Sequence, residues 1–182
     1  MLIILNGPPG CGKDTLANRL VRDHGFVTAC FKHDLYQQTA DYYGLAVDAV
    51  KARNENRLLK DLPFVNGLSV RQMLIHVSED LCKPTRSAGF FGELACERIE
   101  QAAVGGSNIV FSDGGFIEEV QELKAFDPIV IRLHREGFTF DGDSRSYVYP
   151  PDIQSADVQL VSGEIDKGVA DVLVAAEGIF LA

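Results

Sequence analysis

The sequence predicts an α/β protein, a three-layer sandwich in which helices cover both faces of a five-stranded parallel sheet. Three observations support this class. Short apolar runs alternate with segments of helical periodicity along the 182-residue chain. A glycine-rich turn connects the first apolar run to the first helix. A long helical stretch at residues 34–103 separates the second and third strands and is too large for a plain crossover.

The first half of the chain opens with a buried strand at residues 2–6 and a helix at 13–23, which carries apolar residues at helical spacing. The hydroxyl of Ser69 followed by Gln72 is a capping box, and it predicts the start of a helix. The other elements predicted in this half are a strand at 26–31, helices at 34–43, 47–60, 69–81 and 90–103, and a loop at 84–88.

The second half returns to short apolar strands. The helix at 90–103 is predicted to end at Gly105 and Gly106, and the run 108–112 is typical of a buried parallel strand. Polar, glycine-containing sequence at 137–151 predicts an irregular segment. The remaining predicted elements are strands at 129–133 and 158–161 and helices at 116–126 and 165–176.

The glycine-rich turn has the composition of a phosphate-binding loop (P-loop). Its glycines allow the backbone to wrap around an anion with its N–H groups inward, and the following helix adds its positive dipole end. Lys13 then supplies a full charge to the outer phosphates. We therefore predict a nucleotide-phosphate site formed by Gly7, Pro8, Pro9, Gly10, Cys11, Gly12, Lys13, Asp14 and Thr15.

The ending Gly12-Lys13-Asp14-Thr15 resembles that of nucleoside monophosphate kinases, and it looks closest to the bacteriophage deoxynucleoside monophosphate kinases. The resemblance implies ATP and Mg²⁺ as cofactors and transfer of the γ-phosphoryl group to a (deoxy)nucleoside monophosphate. It also implies that Thr15 helps to hold Mg²⁺. Asp14 lies in the first helical turn, where a carboxylate is favourable, so it either stabilises the helix or contacts the metal.

Asp113 follows the third strand, at the edge where open α/β sheets bind ligands. The run 112–116, Ser-Asp-Gly-Gly-Phe, resembles the Asp-Gly-Phe segment of adenylate kinases and the Ser-Asp segment of the phage enzymes. The resemblance implies that Asp113 is the Walker B carboxylate, with a catalytic and a Mg²⁺-binding role; a helix N-cap is the alternative. Family members often place an Arg shortly after this Asp. Gly115 and Phe116 stand there instead, so the acceptor-phosphate clamp is not identified by this motif.

The resemblance assigns acceptor binding to the helical insertion at 34–103 and a lid to residues 134–152, both within a single P-loop kinase domain of residues 1–182. Arg71, in the first turn of an insertion helix, is the preferred phosphate clamp because a guanidinium grips phosphate through two hydrogen bonds; the alternative is a solvated surface charge. Arg57 is a weaker candidate for the same role. Asp34 either contacts the sugar or base of the acceptor or caps a helix.

Two arginines of the lid are predicted to be catalytic. Phosphoryl transfer spreads negative charge over the moving group, and Arg135 and Arg145 place positive charge above it while the closed lid excludes water. Arg132 lies in a strand, where pairing with an acid is the simpler role. Asp143 either anchors Arg145 or caps a turn.

Composition limits the partners. A net charge of −9 and a pI of about 4.8 argue against a large nucleic-acid footprint but not against a small anionic substrate. The four cysteines have the spacing of neither a zinc site nor a disulfide scaffold. No apolar run has the length of a membrane span and no secretory signal precedes the first strand, so we expect a cytoplasmic protein, in the host cytoplasm if it is viral. The sequence leaves a homodimer open.

Two other functions fit the same residues. The chain is either a P-loop kinase of another small metabolite or modified nucleotide, or a nucleotide-dependent binding or switch module that transfers nothing to an acceptor. An assay of acceptors with ADP release separates these functions from nucleoside monophosphate phosphorylation.

Overall fold

A computed structural model describes residues 1–103 and 106–180. The predicted helix end at Gly105 lies outside these residues. The chain divides into two compact units, one formed by Met1–Phe31 with the chain from Gly92 onward, the other by Lys32–Phe91. Within the described residues, no helix is long and apolar enough to cross a membrane.

The described chain alternates strands and helices in the predicted order. In sequence, the elements are β1 (Leu2–Asn6), α1 (Lys13–His24), β2 (Val27–Ala29), α2 (Lys32–Tyr43), α3 (Val47–Glu55), β3 (Pro63–Val65), β4 (Leu68–Ser69), α4 (Val70–Ile75), a π-helix (His76–Cys82), α5 (Lys83–Thr85), α6 (Phe90–Ala103), β5 (Ile109–Phe111), α7 (Ile117–Glu122), a 3₁₀-helix (Leu123–Phe126), β6 (Ile129–Arg135), β7 (Ser155–Leu160) and α8 (Ile165–Phe180).

The larger unit contains a five-stranded sheet with the order β2-β5-β1-β6-β7, in which every pair is parallel. β1 lies at the centre, and all five of its residues are buried. The carboxyl ends of β1 and β5 are therefore neighbours at one edge of the sheet. That edge carries the glycine-rich turn after β1 and the Ser112–Phe116 loop after β5.

Alternate residues of β1 divide the larger unit into three layers. Ile3 and Leu5 pack in one cluster with residues of α1 and α8, whereas Leu2 and Ile4 pack in a second cluster with residues of α6 and α7. Because successive strand residues point to opposite faces, this division places helices on both sides of the sheet. The predicted three-layer α/β class is confirmed.

The smaller unit has its own core, formed by Tyr36, Ala40, Val50, Val70 and Leu74. The predicted capping box at the start of α4 is present: the Ser69 Oγ accepts a hydrogen bond from the Gln72 backbone N (3.2 Å), and the Gln72 Oε1 accepts one from the Ser69 backbone N (2.9 Å). α4 then continues as the π-helix and α5. The sequence predicted one helix to residue 81 and a loop at 84–88, whereas the helical structure continues to Thr85.

Several predicted boundaries are wrong. β2 ends at Ala29 because Phe31 turns into the core of the larger unit. α3 ends at Glu55, five residues before the predicted end at 60, and a hairpin that the sequence did not predict follows it. α6 packs against the sheet through Ala95 and Ile99, and the smaller unit ends at Phe91. β7 begins at Ser155, three residues before the prediction.

Candidate active site

The P-loop connects β1 to α1 in the larger unit. Gly10 and Gly12 have positive φ angles of 78° and 122°, which side chains other than glycine rarely adopt. A Cβ on Gly7 would lie 2.9 Å from the backbone O of Leu133, so only glycine allows this close approach to β6. The sequence thus provides glycine at three positions where the backbone needs it, and the predicted loop residues form one continuous turn.

Lys13 is the first residue of α1, and its side chain folds back over the loop. The Lys13 Nζ donates hydrogen bonds to the backbone O atoms of Gly7 (2.5 Å) and Pro8 (2.8 Å). Asp14 and Thr15 are exposed in the same helical turn. Cys11 is buried, with 1% of its surface exposed. The ammonium group therefore lies against the backbone of the glycine-rich loop that precedes α1.

Arg135 is the last residue of β6, and it contacts the P-loop directly. Its Nη1 donates a hydrogen bond to the backbone O of Cys11 (3.2 Å), and its Nη2 donates one to the Ser162 Oγ (3.0 Å). The guanidinium also lies over the ring of Phe138, with the Cζ 4.6 Å from the ring centroid. Arg135 belongs to a strand and is held on three sides, so it is a fixed cation beside the P-loop and not a residue of an irregular lid.

A cavity of about 150 Å³ opens between the P-loop and the connection from β7 to α8. Gly12, Thr15 and Arg135 line its polar side, and Leu16, Leu160 and Ile165 line its apolar side. The sequence interpretation missed the β7–α8 residues because a Val-Ser-Gly-Glu turn has no phosphate-binding pattern. The cavity therefore combines an arginine and a hydroxyl with apolar side chains directly beside the glycine-rich loop.

Asp113 lies at the carboxyl end of β5 and is 9% exposed. The loop that carries it packs closely on β1, because a Cβ on Gly114 would lie 2.9 Å from the backbone O of Leu5. Gly114 and Gly115 both have positive φ, 64° and 59°. α7 begins at Ile117, with Phe116 at the N-cap position, so Asp113 is not the cap of that helix. The alternative N-cap role is wrong.

Arg145 is held beside the Asp113 loop by a two-point ion pair. Its Nε and Nη2 donate hydrogen bonds to the two carboxylate oxygens of Asp143, each at 2.9 Å, and its backbone N donates to Oδ1 at 3.0 Å. Hydrogen bonding to Asp143 raises the pKa of Arg145, and the charges of Asp143, Asp113 and Glu119 act in the same direction. Asp143 therefore anchors Arg145, and the adjacent residues Ser144 and Ser146 line one cavity with Gly115 of the Asp113 loop.

The segment after Arg145 is attached to β1 through a buried asparagine. The Asn6 Oδ1 accepts a hydrogen bond from the backbone N of Val148 (3.1 Å), and its Nδ2 donates one to the backbone O of Ser146 (3.3 Å). Asn6 directly precedes the P-loop, so these bonds attach residues 146 and 148 of the predicted lid to the strand that leads into that loop. Residues 136–154 contain no helix or strand, as the composition predicted.

The donor atoms at the edge of the sheet fit magnesium. Mg²⁺ binds a few hard oxygen ligands, usually one or two from the protein, together with phosphate oxygens and water. The hydroxyl of Thr15 and the carboxylate of Asp113 offer such oxygens after neighbouring strands β1 and β5. Among the described residues, no three His, Cys, Asp or Glu side chains form a group that would bind a metal without other ligands.

The three predicted acceptor-binding residues all belong to the smaller unit. Asp34 lies inside the first turn of α2, which begins at Lys32, so it is not the N-cap of that helix. The Arg71 Nη1 lies 4.0 Å from the Asp61 Oδ1, and the Arg71 side chain is 43% exposed. Arg57 is exposed in the turn after α3. Their roles in acceptor binding remain predictions.

Two charged side chains of the larger unit, Glu119 and Arg98, are withdrawn from solvent in a way that the sequence did not reveal. Glu119 is 4% exposed on α7. Arg98, on α6, donates a hydrogen bond to the backbone O of Cys30 (3.0 Å), and burial lowers its pKa against the opposing charges of Cys30 and Asp113. Helical periodicity gives no hint of either burial, because each residue lies in a polar stretch of sequence.

Arg132 pairs with an acid, as its place in a strand predicted. Its Nε and Nη2 donate hydrogen bonds to the two carboxylate oxygens of Asp157 at 3.0 and 2.7 Å. His134, two residues later on β6, lies 2.6 Å from the same carboxylate. Hydrogen bonding from Arg132 lowers the pKa of Asp157 to about 2. This network joins β6 to β7 and accounts for both side chains without a catalytic role.

A second cavity, of about 310 Å³, lies between the start of α7 and the residues that follow Arg145. Phe116, Tyr147 and Tyr149 contribute aromatic rings to its lining, and Glu118 and Ser144 contribute polar atoms. The Tyr147 hydroxyl donates a hydrogen bond to the backbone O of Leu133 (3.0 Å), which fixes that ring. Gly115 of the Asp113 loop also lines this cavity.

Comparison with known proteins supports the fold class. No protein-family model and no curated protein sequence matches the chain. Its structure is similar to that of a sugar kinase from Janibacter sp. HTCC2649, with a TM-score of 0.53 and 12% identity over 97% of this chain and 94% of that one. This similarity shows a shared fold.

Two further solved structures match with lower scores. A shikimate kinase from Aquifex aeolicus has a TM-score of 0.46 and 14% identity over 100% of this chain and 99% of that chain. A dephospho-CoA kinase from Campylobacter jejuni has a TM-score of 0.46 and 11% identity over 98% of each chain.

Proposed function

We propose that the protein is an ATP-dependent phosphotransferase that passes the γ-phosphoryl group of ATP to a (deoxy)nucleoside monophosphate. One observation carries the proposal: Lys13 and Arg135 converge on the same glycine-rich loop, with hydrogen bonds to Gly7, Pro8 and Cys11. A turn that only connects a strand to a helix and binds no ligand requires neither cation. Two positive charges held on a glycine-rich loop at the start of a helix suit a polyphosphate.

Each residue of the site has a separate role in the proposed transfer. The P-loop and Lys13 bind the β- and γ-phosphates, and the cavity beside Arg135 takes the base. An acceptor oxygen attacks the γ-phosphorus as its bond to the β–γ bridging oxygen breaks, which releases ADP. Lys13, Arg135 and Arg145 stabilise the negative charge on the transferred group. Thr15 and Asp113 would hold Mg²⁺, which neutralises phosphate charge when bound.

The acceptor is assigned from the resemblance of residues 7–15 and 112–116 to nucleoside monophosphate kinases, with Arg71 as the phosphate clamp and Asp34 and Arg57 as further contacts in the smaller unit. The alternative acceptor is another small metabolite, and two observations favour it: no arginine follows Asp113 at Gly115 or Phe116, and the Janibacter protein of the same fold is a sugar kinase.

An acceptor panel with an ADP-release assay tests the proposal. Nucleoside and deoxynucleoside monophosphates, sugars, sugar acids and shikimate are each offered with Mg·ATP. Release of ADP that depends on a nucleoside monophosphate supports the proposal. If ADP is released only with another metabolite, the proposed acceptor is wrong and that metabolite is the acceptor. Release of ADP without any acceptor would indicate a nucleotide-dependent switch. If the wild-type protein does not bind Mg·ATP, the proposed nucleotide site is wrong.

A further inference from the structure

The proposed transfer leaves the second cavity of the larger unit unused. This cavity measures about 310 Å³, which is within the range of small-molecule sites. One wall is formed by residues 115–118, at the end of the Asp113 loop and the start of α7. The other wall, here called the lid wall, is formed by residue 144 and residues 146–149. The contacts behind these walls show that the cavity is a built feature of the fold.

The lid wall is attached to two neighbouring strands of the sheet. The Val148 backbone N donates a hydrogen bond to the Asn6 Oδ1 (3.1 Å), and the Val148 backbone O accepts one from the Arg132 Nη1 (3.4 Å). Asn6 and Arg132 are paired residues of β1 and β6, and both are buried. The sheet therefore fixes the backbone of the lid wall from both sides of one residue.

Two tyrosine rings of the lid wall are fixed by contacts with β6. The Tyr147 hydroxyl donates a hydrogen bond to the backbone O of Leu133 (3.0 Å), and the centroids of the Tyr147 and His134 rings are 4.5 Å apart. The Arg132 Cζ lies 4.3 Å from the centroid of the Tyr149 ring. Tyr149 is nevertheless 63% exposed, so much of its surface is accessible to a ligand. Side chains that are held before binding lose little further entropy when a ligand arrives.

The opposite wall is held by close packing. A Cβ on Gly115 would lie 2.7 Å from the Phe31 Cε2, and the φ angle of Gly115 is 59°, so this position requires glycine. The backbone N of Phe116 donates a hydrogen bond to the Glu119 Oε2 (3.0 Å). Both walls are therefore in place before any ligand binds.

The side chains of the two walls define the kind of ligand that fits. Aromatic rings, which pack against the faces of other rings, are contributed by Phe116, Tyr147 and Tyr149. Groups that match ligand hydroxyls in hydrogen bonding are contributed by Ser144, Ser146 and Glu118. The lining residues include neither Lys nor Arg, and a carboxylate repels a phosphate. The cavity therefore suits an uncharged ring that carries hydroxyl groups.

The position of the cavity relates it to the proposed reaction. Ser144 and Ser146 flank Arg145, whose guanidinium is fixed by the two carboxylate oxygens of Asp143. A ring bound against the two serines lies beside the residue that is proposed to stabilise the transferred phosphoryl group. An acceptor must be bound near that group for transfer to occur.

We propose that this cavity binds the uncharged, hydroxyl-bearing ring of the phosphoryl acceptor. The role as an acceptor site rests on the proposed function, whereas binding of the ring is a property of the chain that is measured without ATP. A nucleoside and a sugar share the chemistry that the cavity recognises, so the experiment includes both.

A titration of the whole chain, followed in ¹⁵N–¹H spectra without ATP, tests ring binding. The ligands are thymidine, deoxycytidine and deoxyadenosine, then glucose and ribose, and finally inorganic phosphate. We expect the amide signals of Gly115, Ser144 and Ser146 to shift with the deoxynucleosides or with the sugars, and the arm that shifts them identifies the ring. A ring of this size binds with a Kd of about 0.1–3 mM, so a titration to about 10 mM occupies most of the sites.

Substitutions of Tyr149 test the contact. Tyr149→Ala should raise the Kd of the ring at least about 10-fold, and Tyr149→Phe, which keeps the ring, should leave it within about twofold of the wild type. In the enzyme assay, Tyr149→Ala should raise the KM for the acceptor and leave the KM for ATP unchanged. Tyr42→Ala is the matched control, because Tyr42 is a 57% exposed tyrosine of α2 outside the cavity, and it should change none of these quantities.

The possible outcomes separate this inference from the proposed function. If no uncharged ligand shifts the signals of Gly115, Ser144 and Ser146, or if only phosphate does, the inference is wrong. Equal ring binding by Tyr149→Ala and the wild type would also overturn it. Shifts confined to the amides around Asp34 would assign the ring to the smaller unit and leave the proposed transfer intact. A chain that releases no ADP with any acceptor contradicts the proposed function, and the titration still decides what the cavity binds.

Discussion

Replacement of Lys13 by methionine is the most direct test of the site. Methionine keeps the length of the apolar stem and removes the ammonium group, so the helix start and its packing are preserved. The Lys13 Nζ contacts two backbone oxygens, of Gly7 at 2.5 Å and of Pro8 at 2.8 Å. The variant loses these two hydrogen bonds in the protein and one full charge at the phosphates.

The two losses differ in size. The backbone oxygens lie in a part-buried site and water replaces the lost donor, so we expect about 1 kcal/mol of destabilisation, which lowers the thermal midpoint by about 2–4 °C for a chain of this length. Loss of one preorganised cationic donor from the transition state costs about 3–4 kcal/mol, which is about a 10²–10³-fold fall in kcat. Catalysis should therefore suffer far more than stability.

The assay measures ADP release at saturating Mg·ATP and acceptor, with thermal unfolding recorded on the same preparations. Lys167→Met is the control, because Lys167 is an exposed residue of α8 paired with Asp171 and far in sequence from the P-loop. Its kcat should equal that of the wild type. If Lys13→Met keeps kcat within about threefold of the wild type while it folds normally, the ammonium group does not act on the transferred phosphoryl group, and the mechanism is wrong.

Three further substitutions extend the test. Arg135→Ala should lower kcat/KM for ATP by about 10-fold or more, because it removes a cation from both the P-loop and the adjoining cavity. A kcat/KM equal to that of the wild type would show that Arg135 does not act in the site. Arg145→Ala should lower kcat with little change in ATP affinity measured by calorimetry; unchanged turnover would contradict its catalytic role. Hydrogen bonding from Arg132 holds the pKa of Asp157 at about 2, below its ordinary value of 3.8. The ionised carboxylate therefore stabilises the fold at pH values above about 3.8, and this stabilisation is lost as the pH falls through about 2. Asp157→Asn should therefore cost about 1 kcal/mol at neutral pH, since the carboxylate is half exposed, and the difference from the wild type in urea unfolding should narrow below about pH 4; a difference independent of pH would contradict this origin.

The core of the fold is predictable from the sequence because its local patterns agree with the tertiary structure. β1 is an unbroken apolar run between helices, and it forms the buried central strand at the predicted residues. The hairpin of the smaller unit shows a pattern that was present but overlooked. Asn66 and Gly67 stand between two short strands and have positive φ angles of 52° and 78°, as the common two-residue hairpin turn requires.

Other features depend on pairing between distant residues, which local patterns do not contain. β7 begins at Ser155 because polar residues there pair with β6, and Asp157 meets Arg132 across that pair. The burial of Glu119 likewise follows from the close packing of α6 at Gly92, a residue 27 positions earlier in the sequence. For the candidate site, the glycines and Lys13 were predictable because a loop around phosphate needs them locally, whereas the partners of Arg135 and Arg145 were not.

The contacts of the three cations indicate how phosphate binding would be coupled to the chain. Lys13 contacts the P-loop carbonyls, Arg135 the Cys11 carbonyl, and Arg145 the carboxylate of Asp143. Because Asp143 is a charged and geometrically matched partner, exchange at Arg145 is the most costly of the three. In the proposed reaction, a phosphoryl group that contacts the Arg145 guanidinium therefore competes with Asp143, and this contact raises kcat only where it is stronger in the transition state than in bound ATP.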